Sequence, residues 1–127
     1  MRVLLVDDSD VFRSTLELLL GAEEDIEVAG TAADGSEALS ACAASRVDVV
    51  LLDFRLPGAD GVSVTAALRE CHPELAVVCL TAAATPDERE AVRAAGAAAV
   101  VEKGDLPALL ATIREVAPPG DSHWSFP

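Results

Sequence analysis

Basic residues are scarce in this 127-residue sequence: 9 Lys and Arg stand against 22 Asp and Glu, a net charge of −13. A surface that acidic repels phosphate backbones and anionic lipid headgroups, so this chain alone is not expected to bind nucleic acid or membrane. No stretch reaches the ~20 apolar residues of a membrane span. The start, Met1-Arg2-Val3-Leu4-Leu5-Val6, has the character of a signal peptide only until Asp7 and Asp8 end the apolar run, and no cleavage site follows. The expected location is the cytoplasm. Cys42, Cys71 and Cys79 are odd in number and none has CxxC spacing, which argues against a disulfide framework and against zinc. They read as small core fillers. No GxGxxG follows the first apolar run, so a dinucleotide enzyme fits poorly. There is no internal repeat, and no low-complexity tract beyond a general richness in Ala.

What remains is a chain of ordinary domain size, with 51% hydrophobic types. Such a length buries ~65–70% of its unfolded surface and supports a core without staples. Apolar runs at residues 3–6, 26–29, 47–52, 76–80 and 98–101 alternate with helical stretches. That alternation predicts βαβ units and a parallel sheet. Thr85-Pro86-Asp87-Glu88 combines an N-cap, a first-turn Pro and the Glu of a capping box. Asp105 is expected to cap the last helix, where Leu106, Leu109, Leu110, Ile113 and Val116 form one stripe. Ser9 or Asp10 is expected to cap the first helix, which should bury Val11, Phe12, Leu16, Leu19 and Leu20. The second helix is placed at about residues 36–44. Leu56-Pro57-Gly58-Ala59-Asp60-Gly61 reads as a turn-forming loop before the third.

The first, third and fourth runs are nearly continuous in Val and Leu, as in strands covered on both faces. The second alternates and the fifth is small and Ala-rich, and both suit sheet edges. This pattern fits the strand order 2-1-3-4-5, although periodicity alone does not fix it. Residues 1–117 read as one domain. Residues 118–127 read as a linker or C-terminal tail, with Pro118-Pro119-Gly120 followed by the only Trp, Trp124.

In open parallel sheets, ligands bind beyond the carboxyl ends of the strands. Asp7 and Asp8 follow the first strand, Asp53 the third, Thr81 the fourth, and Lys103 comes just after the fifth. Two unit charges ~4 Å apart repel by ~4 kcal/mol at an effective dielectric of ~20. Three converging carboxylates therefore call for a cation, and oxygen-only ligands favour a hard ion such as Mg²⁺. The sequence carries eight Arg and one Lys, and that Lys falls at the same sheet edge. A compact ammonium suits a phosphoryl oxygen or a carboxylate.

Asp7-Asp8, then Asp53 with Leu56-Pro57-Gly58 and Asp60-Gly61, then Thr81-Ala82, then Lys103, resembles the receiver domain of two-component response regulators over about residues 2–116. Asp53-Phe54-Arg55-Leu56-Pro57-Gly58 and Lys103-Gly104 most resemble receivers of the NarL/FixJ type. The resemblance implies a flavodoxin-like, doubly wound α/β fold: a five-stranded parallel sheet with helices on both faces. It implies that Asp53 accepts a phosphoryl group from the His of a sensor histidine kinase. It implies that Asp8, Asp53 and the main-chain carbonyl of Arg55 hold Mg²⁺, with Asp7 acting through a bound water. Thr81 and Lys103 are then expected on phosphoryl oxygens. The implied protein is a switch rather than an enzyme. Its output is transcriptional through a DNA-binding domain outside this chain, and a homodimer through the first and last helices is expected to be weak.

Two positions depart from the pattern. Receivers often carry Tyr or Phe three residues before the Lys, whereas this chain has Val100 there and no Tyr at all. The response is therefore expected in the small-residue loop 82–84 and the helix starting at Pro86. Receivers also often have Lys-Pro, where this chain has Lys103-Gly104. The main alternative is a stand-alone or phosphorylation-independent docking receiver, disfavoured because Asp8, Asp53, Thr81 and Lys103 are all present. A haloacid dehalogenase-type hydrolase needs a second Asp two residues after the nucleophile, and Arg55 occupies that place.

Overall fold

Alternate residues of the first strand separate two cores. Val3 and Leu5 face one side of the sheet, Leu4 and Val6 the other, and all four are almost fully buried. The computed structural model describes residues 1–56 and 58–117. Their element order is β1 (Arg2–Val6), α1 (Asp10–Gly21), β2 (Glu27–Ala32), α2 (Gly35–Ala44), β3 (Val49–Asp53), β4 (Arg55–Leu56), β5 (Ala59–Asp60), α3 (Gly61–Cys71), β6 (Ala76–Thr81), α4 (Pro86–Ala94), β7 (Ala99–Glu102) and α5 (Leu106–Val116). The main sheet is parallel, in the order β2-β1-β3-β6-β7. With the two-residue β4–β5 hairpin set aside, this is the expected 2-1-3-4-5. The two sparser strands do lie at the edges. Pro57 and the 118–127 tail fall outside the described residues.

Leu16 and Leu20 of α1 and Leu109 and Ile113 of α5 cover one face of the sheet. On the other face, Ala38 and Cys42 of α2 and Val64 and Leu68 of α3 pack on Leu4, Val50, Leu52 and Val77. A small third cluster, Phe54, Cys79, Val92 and Ala97, lies beneath α4. Each fully buried Leu or Ile contributes roughly 1.5–3 kcal/mol.

Capping follows the sequence closely. Thr85 and Glu88 form the reciprocal box, and Asp105 accepts from Ala108 N. Ser9, not Asp10, caps α1, its Oγ accepting from Phe12 N at 3.3 Å. The loop before α3 folds into the β4–β5 hairpin, with Gly58 at φ +72° in its turn. Burial along α1 differs from expectation. Leu16 and Leu20 are buried, but Val11 is 78% exposed, Leu18 76% and Leu19 41%. At about 100° per residue, Val11 and Leu18 point nearly opposite to Leu16 and Leu20. Sequence apolarity alone gave the stripe too much width.

Candidate functional site

The parallel ladders bring four strand ends to one edge of the sheet. Leu52 pairs with Val6, Leu80 with Asp53, and Glu102 with Thr81. The residues just past those ends therefore converge. Main-chain bonds fix them: Asp7 N donates to Ala32 O at 3.0 Å, Phe54 N to Leu80 O at 2.9 Å, and Lys103 N to Thr81 O at 2.9 Å.

Asp7, Asp8 and Asp53 each place a carboxylate oxygen within 4.8 Å of the others. Asp7 is 3% exposed and Asp53 7%, while Asp8 faces solvent. Lys103 Nζ lies 2.7 Å from Asp7 Oδ2 and 3.2 Å from Asp53 Oδ2. Buried Asp7 Oδ2 thus has the Lys103 ammonium as its close cationic partner. The other Asp7 oxygen accepts from Ser9 N at 2.8 Å. Asp53 Oδ1 accepts from Arg55 N at 3.3 Å. Thr81 is buried, and its Oγ1 accepts from Ala83 N at 3.1 Å.

Burial pushes the Asp53 carboxyl above its usual range, and the Asp7 charge adds to the push. The Arg55 N–H and Lys103 work in the opposite direction without cancelling it. Partial burial pulls the Lys103 ammonium down, but Asp7 and Asp53 outweigh it and hold the group above its ordinary value. One ammonium thus serves two buried carboxylates while a third stands beside them. Such an excess of carboxylate oxygens over cationic partners, in an all-oxygen donor set, fits a small hard cation.

The site residues expected from the sequence meet here: Asp7, Asp8, Asp53, Thr81 and Lys103. The Arg55 side chain turns away, 3.3 Å from Glu88 at the start of α4 and 5.4 Å from the Phe54 ring centroid. Two residues were not foreseen. Arg13 Nη1 donates to the Asp7 carbonyl at 2.7 Å and its guanidinium also pairs with Asp10. The i,i+3 spacing of Asp10 and Arg13 was the available signal for that pair. The Phe12 ring, expected only as core, lies beneath Lys103 Nζ at 4.4 Å. Gly104 takes φ +91°, a conformation closed to proline, so Lys103-Gly104 is a different turn from the common Lys-Pro.

An acidic cluster with one lysine stands at the carboxyl edge of a doubly wound α/β domain with the 2-1-3-4-5 sheet order. Residues 3–114 match the response regulator receiver domain, and the chain belongs to that family. It is similar to the response regulator GacA of Pseudomonas viridiflava, 35% identical over 104 residues, which are 82% of this chain and 49% of that protein. It is also similar to protein-glutamate methylesterase/protein-glutamine glutaminase 5 of Myxococcus xanthus, 40% identical over 114 residues, 90% of this chain and 32% of that protein. Among solved structures, the signal receiver domain of NarL from Mycobacterium tuberculosis superposes with a TM-score of 0.80 at 32% identity, covering 89% of this chain and 95% of that one. The likeness to NarL-type receivers agrees with the resemblance carried by the motifs. The chain spans about half, or less, of the length of these curated relatives. Among the described residues no helix is long and apolar enough to cross a membrane.

Proposed function

We propose that this domain is a phospho-accepting switch of a two-component system, in which Asp53 takes a phosphoryl group from the phosphohistidine of a sensor histidine kinase. The observation that carries the reading is the position of Asp53: Oδ2 is 3.2 Å from the only lysine, inside a cluster of three carboxylates. An Asp53 carboxylate oxygen attacks phosphorus. The P–N bond to the donor imidazole breaks, and its electron pair returns to the nitrogen, which takes a proton from solvent. Lys103 leaves its carboxylate partners for one phosphoryl oxygen, and the Thr81 hydroxyl turns to another. Asp8, Asp53 and the main-chain carbonyl of Arg55 are the ligand set for Mg²⁺, with Asp7 reached through water. The three converging carboxylates support this assignment. When bound, Mg²⁺ neutralises charge on the transferred group. Lys103 also opposes the burial that holds the Asp53 carboxyl above its ordinary value.

Residues 1–117 are the switch unit, working in the cytoplasm, and 118–127 are a linker or C-terminal tail by sequence. The domain signals rather than catalyses. The exposed Val11 and Leu18 on α1 are offered to the kinase. Ala108, Ala111 and Thr112 let α5 approach a second copy closely, although −13 per chain opposes that at low salt. The output is transcriptional, through a DNA-binding domain outside this chain. Phosphoramidate with Mg²⁺ is expected to add one phosphoryl group, read by intact-protein mass spectrometry, and Asp53→Asn is expected to add none. Labelling that survives Asp53→Asn, or that ignores a chelator, overturns the assignment.

A further inference from the structure

We infer that Phe12 is a positioning residue for Lys103, holding the ammonium at the acidic cluster through the face of its ring. The inference rests on the phospho-acceptor reading, to which it adds a residue outside the motif set. Its basis is geometric. Lys103 Nζ stands 4.4 Å from the Phe12 ring centroid, while it lies 2.7 Å from Asp7 and 3.2 Å from Asp53. The ring is therefore a third close neighbour of the ammonium, beside the two carboxylates.

Two further features make a ring useful here. The lysine is followed by Gly104 at φ +91°, so the next residue of the turn has no side chain to brace it. Beside it opens an apolar cavity of about 120 Å³ between α1 and α5, walled by Phe12, Leu16, Leu19, Leu106 and Leu109, with Lys103 at its border. A flexible four-carbon stem at the border of an apolar cavity has room to leave the cluster. A quadrupolar ring face attracts the ammonium and keeps it there, an interaction that strengthens as water is excluded. Phe12 can do this because α1 starts at once after the acidic loop. Ser9 caps it, and the Arg13 contact to the Asp7 carbonyl pins the first turn to β1.

Lys103 is the only lysine, so ¹³Cε-lysine labelling gives a single side-chain signal. That signal reads the position of the ammonium without any phosphorylation, and phosphoramidate labelling of Asp53 in Mg²⁺ reads its consequence. Phe12→Leu keeps an apolar side chain in place, and Phe12→Tyr keeps the ring. In wild type the Lys103 ε-protons are expected upfield, shifted by the ring current. Phe12→Leu should lose that shift and slow the maximal labelling rate about three- to tenfold, with the donor concentration for half-maximal rate nearly unchanged. Phe12→Tyr should restore both. An unshifted wild-type signal overturns the inference, and so does Phe12→Leu labelling at the wild-type rate. Equal slowing in Phe12→Leu and Phe12→Tyr also overturns it, because the ring is then not what matters. If wild type takes no label at all, the phospho-acceptor reading falls, and the lysine signal alone decides whether Phe12 holds the ammonium.

Discussion

Replacing Thr65 by valine is expected to stabilise the domain, and the same change at Thr81 is not. Both threonines are buried, at 0% and 3% exposure. They differ in one respect: Thr81 Oγ1 accepts from Ala83 N at 3.1 Å, whereas Thr65 Oγ1 has no hydrogen-bond partner. Valine replaces the hydroxyl by a methyl of the same shape, and in α3 both residues have similar helix propensity. At Thr65 the substitution removes a desolvated hydroxyl, which costs roughly 1–3 kcal/mol, and buries a methyl worth up to ~0.8 kcal/mol. Allowing for imperfect relief of the first, a gain of about 1–2 kcal/mol is expected. Urea denaturation should show a midpoint higher by roughly 0.5–1 M with an unchanged slope, and Tm should rise by about 3–8 °C. At Thr81 the methyl gain is offset by a lost hydrogen bond of about 1 kcal/mol, so stability should stay level or fall slightly. If Thr65→Val lost more than about 0.5 kcal/mol, the hydroxyl would have to be bonded in solution and the reasoning would fail. Equal shifts in the two variants would refute it as well, since hydrogen bonding would then not distinguish the sites.

Three further outcomes are expected. A thiol reagent at pH 8 should find only Cys71 in the native protein and all three cysteines in denaturant, because Cys42 and Cys79 are buried and burial pushes the Cys79 thiol to about 12; rapid loss of three native thiols would contradict the packing. Arg114 holds the Asp25 carboxyl below its ordinary value, so that pair contributes stability above the ordinary carboxylate pKa and loses it as pH falls through the lowered one. Arg114→Gln should therefore be less stable than wild type at pH 7 and indistinguishable from it near pH 2, by thermal melts; a gap that persists in acid would rule the pair out as its source. Gly104→Pro should destabilise by more than about 1 kcal/mol, since proline cannot reach φ +91°; unchanged urea unfolding would show that the turn adapts.

The elements and their starts were readable because their causes are local. Thr85, Asp105 and Asp60 each bond to a main-chain N–H three residues on, and that relation is written in adjacent residues. The site was readable for a related reason: βαβ topology sends every parallel strand end to one edge, so position after an apolar run is enough to place Asp7, Asp53, Thr81 and Lys103. The roles of Phe12 and of Val11 were not readable. Both are apolar residues at the start of one helix, and only packing of α1 against the sheet decides that one meets the lysine while the other faces water. The Arg13 bond to the Asp7 carbonyl was hidden likewise, because it depends on how α1 leaves β1.

The small cluster beneath α4 has a consequence for how the domain responds. That helix commits one fully buried side chain, Val92, to the body of the protein, and the ion pairs Arg55–Glu88 and Arg89–Glu102 join it to β4 and β7. Burying a valine is worth roughly 1.5–3 kcal/mol, and exposed pairs add little. By that measure α4 is the helix most easily displaced, since each of the other four buries at least two residues. The loop that precedes it, Ala82-Ala83-Ala84, has no bulky side chain to resist the move. On the proposed function, a phosphoryl group that draws Thr81 toward Asp53 meets this lightly held helix first. The proposed response is then read out at α4, and Val92 sets how much must be overcome.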